Sequence, residues 1–264
     1  MFHRSIRASF TMLAATCLIS GCMPMGPTEP PAPNYVPKFD FVPPSQAATG
    51  SAKVAFAVVD PQFPATAESG FGHSRPPVLA KFQKSMGEDF QEVLNAHGFT
   101  TRGPFVTFDE MTFPDKQDTD LIIDAEIDLS FDDLGTAQAC SIFVFPASCS
   151  SSGSVQVGAR MNLIVSESLT HEKMWTKRIE LDGRQVSWRG TTRRPMLQSP
   201  NGFVEPPKPA FSANFSDPGF TNAVGPLLEN YYGTIMDSAW KYLNPDEMAS
   251  IKAKSKVIRT RKVY

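Results

Sequence analysis

Residues 118–130 read DTDLIIDAEIDLS, with Leu121, Ile123, Ala125, Ile127 and Leu129 alternating with Ile122, Asp124, Glu126 and Asp128. A period of two puts the apolar set on one face of a strand and the acids on the other, so the segment must lie with one face on a core and the other in water. Such a strand needs partners. Residues 155–166 and 171–181 supply them as a hairpin around a loop at 167–170. Val155, Val157, Ala159, Met161, Leu163 and Val165 fill one face of its first strand; Trp175, Ile179 and Leu181 pack in the second, while Glu172, Arg178 and Glu180 face out. The row of carboxylates that begins at Asp120 invites a calcium reading. The pattern favours a solvated face paired with basic groups of a neighbouring strand, namely Arg160, Lys177 or Arg178.

The remaining periodic segments cover this sheet. Ala52 to Asp60 (AKVAFAVVD) is a continuous β-rich apolar run, read as a strand buried on both faces or covered by helices and ended by Asp60-Pro61. A helix over 78–97 carries Leu79, Phe82, Met86, Phe90, Val93 and Leu94 on one stripe and stops at Gly98. Gly87 inside it costs about 1 kcal/mol against alanine, which suggests a close helix contact there. Residues 99–108 read as a short, proline-interrupted edge strand. A second helix over 220–243 buries Val224, Leu227, Leu228, Tyr231, Ile235, Met236, Ala239 and Trp240, and Asn244-Pro245-Asp246-Glu247 caps and starts a third. The expected fold is α+β: a mixed, mostly antiparallel sheet with one long helix and a C-terminal helix pair packed on one face. At 41% hydrophobic and 20% charged residues, the chain has the apolar content for a single domain over 51–264.

The N-terminus gives an address. Arg4 and Arg7 precede an apolar run from Phe10 to Ile19, and Ile19-Ser20-Gly21-Cys22 follows, the arrangement of a bacterial lipoprotein signal. Residues 1–21 are read as a signal peptide and Cys22 as the acylated first residue of the mature chain. One acyl chain holds a protein only marginally and several hold it firmly. Met23 is not the aspartate that retains lipoproteins in an inner membrane, so an outer-membrane location is expected. Residues 23–50 contain eight prolines, and 22–50 are read as a tether reaching up to about 85 Å in polyproline form. Its aromatic residues Tyr35, Phe39 and Phe41 either dock on the domain or touch lipid.

Two cysteines remain beyond the anchor, Cys140 and Cys149. In an oxidising compartment a Cys140 to Cys149 disulfide is expected, closing a loop of about ten residues worth very roughly 3 kcal/mol. No histidine or further cysteine stands near them at metal-ligand spacing, and no metal or cofactor is expected. Between them Ile142, Phe143, Val144 and Phe145 are read either as an apolar tip entering a partner groove or membrane interface, or as a strand whose ends are stapled. Residues 189–219 read as a long loop, opened by Arg189, Arg193 and Arg194, a candidate site for an anionic sugar or lipid phosphate. Lys252, Lys254, Lys256, Arg259, Arg261 and Lys262 read as a solvated basic tail, with anionic headgroups or polymer as an alternative partner. No nucleophile triad, Gly-rich phosphate loop or HExxH is present, so no enzymatic role is expected. After signal removal the chain holds 23 basic against 27 acidic residues, which disfavours nucleic acid.

The order of the lipobox, KVAFAVVDPQF, KFQKSMGEDFQEVLNAHGF, DTDLIIDAEIDLSF, VQVGARMNLIVSESLTHEKMWTKRIEL and LNPDEMASIKAKSK resembles the neuraminyllactose-binding haemagglutinin lipoproteins, the flagellar-sheath adhesin family of Helicobacter, over about residues 52–258. The resemblance implies an outer-membrane or sheath lipoprotein with adhesion to sialylated glycans. Family members linked to sugar binding carry a short Lys/Arg motif after the acidic strand. Here that place holds Asp132-Asp133 and the cysteine segment, and the similar letters Lys177-Arg178-Ile179 lie in another strand. The function expected is that of an anchored binding or structural component of the cell envelope or flagellar sheath. The alternatives are a surface adhesin for sialylated host glycans and a periplasm-facing envelope-assembly factor. Envelope or sheath proteins, and a glycan, are the candidate partners besides the membrane.

Overall fold

The computed structural model describes residues 33–64, 76–141, 147–194, 197–199, 202–204 and 213–261, with backbone alone at 140–141, 147–149, 192–194, 197–199 and 202–204. The signal peptide, Cys22 and Ile142 to Phe145 therefore lie outside the described residues. The long alternating segment is the backbone of a five-stranded sheet of order β2-β1-β3-β4-β5, formed by β1 (Ala55–Val59), β2 (Thr100–Phe105), β3 (Leu121–Ser141), β4 (Ala147–Glu167) and β5 (Lys173–Arg194). β1 pairs parallel with β2 and β3, while β3, β4 and β5 are antiparallel. The architecture is the expected α+β, with a mixed, mostly antiparallel sheet.

One face of the sheet is covered by α1 (Pro77–Ala96) and α3 (Pro218–Tyr242). α1 is the crossover between the parallel β1 and β2, so its N-terminus lies at the C-terminal end of β1. Contacts between equivalent levels of the two helices show that α3 runs in the same direction as α1. Tyr232 meets Phe82 and Asp89, and Trp240 stacks on His97 at their C-terminal ends. β1 is buried on both faces. Phe56 and Val58 enter the helix-covered core, and Ala57 and Val59 join Met111 and Ile122 in a smaller cluster beneath Phe105 and Phe108. The chain then enters α2 (Phe113–Asp118), which opens with a capping box between Thr112 and Asp115. The close contact at Gly87 is with the end of β1 rather than with a helix: a Cβ there would lie 2.2 Å from Asp60 Oδ1. Burial first, then Glu88, pushes the Asp60 carboxyl up.

α4 (Pro245–Arg261) starts as the local signals require, with Glu247 N donating to Asn244 Oδ1 at 2.9 Å. Its basic residues are not all solvated. Lys252 pairs with Asp120 at 2.7 Å, and Arg259 donates to the fully buried Glu167 at 2.5 Å and to the carbonyl of Thr119 at 2.8 Å. The expected tail is thus a helix pinned over the start of β3 and the end of β4.

Two stretches expected to be irregular are ordered. Of the tether expected over 22–50, residues 33–50 pack on the domain, and Pro33–Tyr264 form one compact unit. Pro37, Phe39 and Phe41 point inward while Val36, Lys38, Asp40 and Val42 face out, so this strap alternates like a strand. Phe39 contacts Phe82 and Tyr232, with ring centroids 5.0 and 5.3 Å apart. Tyr35 OH donates to Glu229 at 2.5 Å, Tyr35 N donates to Asn222 Oδ1 at 2.6 Å, and Lys81 Nζ donates to the Pro37 carbonyl at 2.9 Å. Gly225 is required by this contact, because a Cβ there would lie 2.4 Å from the Tyr35 ring. The aromatic residues of the strap therefore dock on protein. The other correction concerns 189–219: β5 continues through Arg194, and β6 (Leu197–Ser199) and β7 (Gly202–Val204) form a short hairpin. Proline and the polar composition of SWRGTTRR suggested a loop. Cross-strand pairing with β4 outweighs both.

Candidate functional site

Beyond Asp133, β3, β4 and β5 run on as a three-stranded ribbon past the end of β1. A register shift between Asp133 and Gly135 marks where it begins. Asp133 Oδ1 accepts from Gly135 N at 3.0 Å and Thr136 Oγ1 at 2.8 Å, which bends β3 at the shift, and Gly135 takes the positive φ of 137° that this turn needs. The bend and the twist of the ribbon leave an open groove of about 780 Å³ lined by Leu134, Ala137, Ser152, Ser154, Gln185, Ser187, Trp188 and Arg189, among others.

Strand alternation explains the lining. With Val155 and Val186 paired on the core face, Ser154 and Ser187 are paired on the other, and their hydroxyls lie 3.2 Å apart. Arg189 follows two positions on, exposed, and its guanidinium has no ion-pair partner among the described residues. Behind the ribbon the ring of Trp188 packs edge-on against Phe220 of α3, with centroids 5.6 Å apart. Trp188 Nε1 and Gln138 Nε2 are buried without an acceptor among the described residues. The groove thus offers hydroxyls, one amide and a planar cationic fork. That set suits hydrogen bonding to a polyol or sugar and bidentate contact with a carboxylate or phosphate. Among its described lining residues no His, Cys, Asp, Glu or Lys stands beside the hydroxyls. Among the described residues no cluster of three or more His, Cys, Asp or Glu is placed to hold a metal ion.

No family model and no curated protein matches this chain. Solved structures do. One from Helicobacter pylori, described as a homologue of a neuraminyllactose-binding hemagglutinin, superposes with a TM-score of 0.55 at 12% identity, covering 84% of this chain and 99% of that one. A Xanthomonas campestris protein gives 0.31 at 11% identity, covering 80% and 98%, and a Neisseria meningitidis lipoprotein 0.24 at 13%, covering 53% and 84%. Only the first score carries an argument. At 12% identity it shows a distant relationship of fold with the Helicobacter pylori structure.

The structure brings Arg189 into the groove. Of the other two expected arginines, Arg193 pairs in register with Ser148 and Arg194 with Ala147, and their side chains lie outside the described residues. Cys140 and Cys149 stand directly opposite each other in the β3–β4 ladder, and their side chains likewise lie outside the description. Ser152, Ser154, Gln185, Ser187 and Trp188 were not anticipated as site residues. The available signal was the alternation in GSVQV and QVSWR, which extends the apolar strand pattern into the serines. Of the three basic partners expected for the acidic face, Arg160 meets Asp128. Lys177 instead approaches Glu247 of α4 at 4.0 Å, and Arg178 pairs with Glu180 of its own strand at 3.2 Å. Lys173 approaches Glu126 at 3.7 Å, and His171 meets Asp124 at 3.1 Å.

Proposed function

We propose that this protein is an outer-membrane lipoprotein, anchored through acylated Cys22, whose domain acts by binding rather than catalysis as a component of the cell envelope or flagellar sheath. The observation that carries the reading is the strap. The chain that follows the lipobox is stitched to α1 and α3 from Pro33 onward, so ten residues, 23–32, separate Cys22 from the first described contact. Ten residues span at most about 36 Å, less than half the reach of the full tether. A domain held that short is suited to work at the membrane to which it is fixed. Among the described residues no helix is long and apolar enough to cross a membrane. The groove supports a binding role through its hydroxyls, amide and guanidinium, which suit hydrogen bonding to a polar or anionic ligand.

The decisive experiment is fractionation of wild-type and Cys22→Ser cells. Wild type is expected in the outer membrane with acyl chains on Cys22 by mass spectrometry. Retention of the Cys22→Ser protein in membranes refutes the anchor. Protease treatment of intact cells then distinguishes a surface domain, cut without disruption, from a periplasm-facing assembly factor, cut only after it. A second reading is favoured by Arg189 beside the groove hydroxyls: an adhesin for sialylated glycans, whose carboxylate the guanidinium would take. The fold it shares with the Helicobacter pylori hemagglutinin homologue adds to that reading. A glycan array on the domain with no signal for sialylated over neutral sugars removes it.

A further inference from the structure

Resting on the reading that Cys22 is acylated, we propose that the ribbon end of the domain lies against the bilayer and that the lipid surface is the partner of its groove. The path of the chain carries this. Asn222 in the first turns of α3 donates to the carbonyl of Pro33 at 3.2 Å, so the link leaves the domain at the N-terminal end of α3. Phe220, two residues earlier, packs on Trp188, which lines the groove. The exit of the link and the groove therefore share one level of the molecule. The opposite end carries the C-termini of α1 and α3, where His97 stacks on Trp240, and α4, where Glu247 accepts from Trp175 Nε1 at 2.7 Å. Trp175 and Trp188 are thirteen residues apart on β5, about 40 Å along an extended strand.

The ten residues 23–32, four of them proline, span at most about 36 Å. A domain of this size has a radius of gyration of about 17 Å, so an anchor attached at one end keeps that end near the headgroups and the other end away from them. The surface at the tethered end fits the contact. Val36 on the strap and Leu134 at the groove are large apolar side chains left 69% and 50% exposed, with Lys38 and Arg189 also exposed. Aliphatic side chains beside long cationic ones suit the boundary between headgroups and acyl chains. Arg189 would meet lipid phosphate, and the serine hydroxyls the glycerol and headgroup oxygens.

The three tryptophans of the chain make the test direct. Full-length protein purified from membranes is reconstituted in vesicles containing lipid with a headgroup nitroxide, and fluorescence quenching is compared among Trp188→Phe, Trp175→Phe and Trp240→Phe. The proposal expects Trp188→Phe to lose most of the quenching and the other two to keep it. Two exposed reporters guard against a folding effect at Trp188: Leu134→Trp should add quenching and Val257→Trp, on α4, should not. Quenching at Trp175, Trp240 or Val257→Trp, or none in protein that floats with the vesicles, overturns the orientation while leaving the anchor intact. Protein without acyl chains that fails to float overturns both. A groove free of quenching would instead be open to the outside, as the glycan reading requires.

Discussion

Strand β3 passes through two environments. From Leu121 to Leu129 its core-facing side chains are at most 3% exposed beneath α1 and α3, and each leucine or isoleucine among them contributes about 1.5–3 kcal/mol through burial. From Gly135 to Ser141 the same strand carries only small and polar residues, opposite the equally small Ser148 to Ser154. There its order comes from the hydrogen-bonded ladder, whose bonds each contribute about 0.5–1.5 kcal/mol net. The difference assigns tasks: the covered half sets stability, and the ribbon, whose β3 and β4 segments carry only small and polar residues, is the part shaped for binding. Substitutions in the first region should therefore register in unfolding experiments, and substitutions in the second in binding experiments.

The largest effect is expected at the edge of the covered half. Burial pushes the Glu167 carboxyl up, but Arg259 and the backbone N–H groups of Thr170 and Leu169 together outweigh it and hold the pKa below its ordinary value. Arg259→Leu leaves a buried carboxylate without its cation and should cost about 3–5 kcal/mol in urea unfolding at pH 7. The wild-type contribution is present at neutral pH and declines as the solution is acidified below the ordinary glutamate value. The penalty of the variant should accordingly shrink in acid. A loss below 1 kcal/mol at pH 7 would place the strength of this region elsewhere.

The ribbon has one feature able to compete on that scale. Cys140 and Cys149 occupy facing positions near its end, and a disulfide between them would add about 3 kcal/mol in the chain-entropy picture. Reduction of the purified protein should then lower its resistance to urea and expose two thiols to alkylation. If unreduced protein already shows both thiols free, the ribbon is held by its ladder alone.

What the sequence made legible follows the same division. The 121–129 alternation, the stripes of α1 and α3 and the Asn244 cap are local patterns that burial and helix termini impose on neighbouring residues, and each appears where the pattern puts it. The ribbon has no apolar alternation beyond Val155 and Val186, so local pattern did not reveal its strands. Its order depends on partners distant in sequence, Gly153 with Trp188 for example. The strap was hidden differently. Pro37, Phe39 and Phe41 do alternate with exposed neighbours, but the surrounding prolines matched a solvated tether, and the groove that receives them exists only once α1 and α3 have packed.

A smaller effect belongs to that groove. Asp89 is 6% exposed, and burial pushes its pKa from an ordinary 3.8 up to about 6 despite the bond from Tyr232 OH at 2.5 Å. A carboxyl that holds its proton more tightly when folded stabilises the fold most below its unfolded value and loses that contribution as pH rises to about 6. Urea midpoints should therefore fall across this window by the equivalent of roughly 1–3 kcal/mol, and Asp89→Asn should flatten that part of the profile. An unchanged slope in the variant would assign the titration to another group.

The smallest expected stability change is at Arg189, and it bears most directly on the contrast between the two regions. The side chain is exposed and has no ion-pair partner among the described residues, so Arg189→Ala should alter unfolding by less than about 0.5 kcal/mol. Its effect should appear instead in the groove's binding. The lipid-facing reading expects weaker association of an anchor-less domain, residues 33–264, with vesicles rich in anionic lipid, and a smaller dependence of that association on salt. The adhesin reading expects loss of sialylated glycan signal with vesicle binding unchanged. If Arg189→Ala destabilises the domain as much as a core substitution does, the ribbon is part of the structural core and the assignment of separate tasks to the two halves of β3 fails.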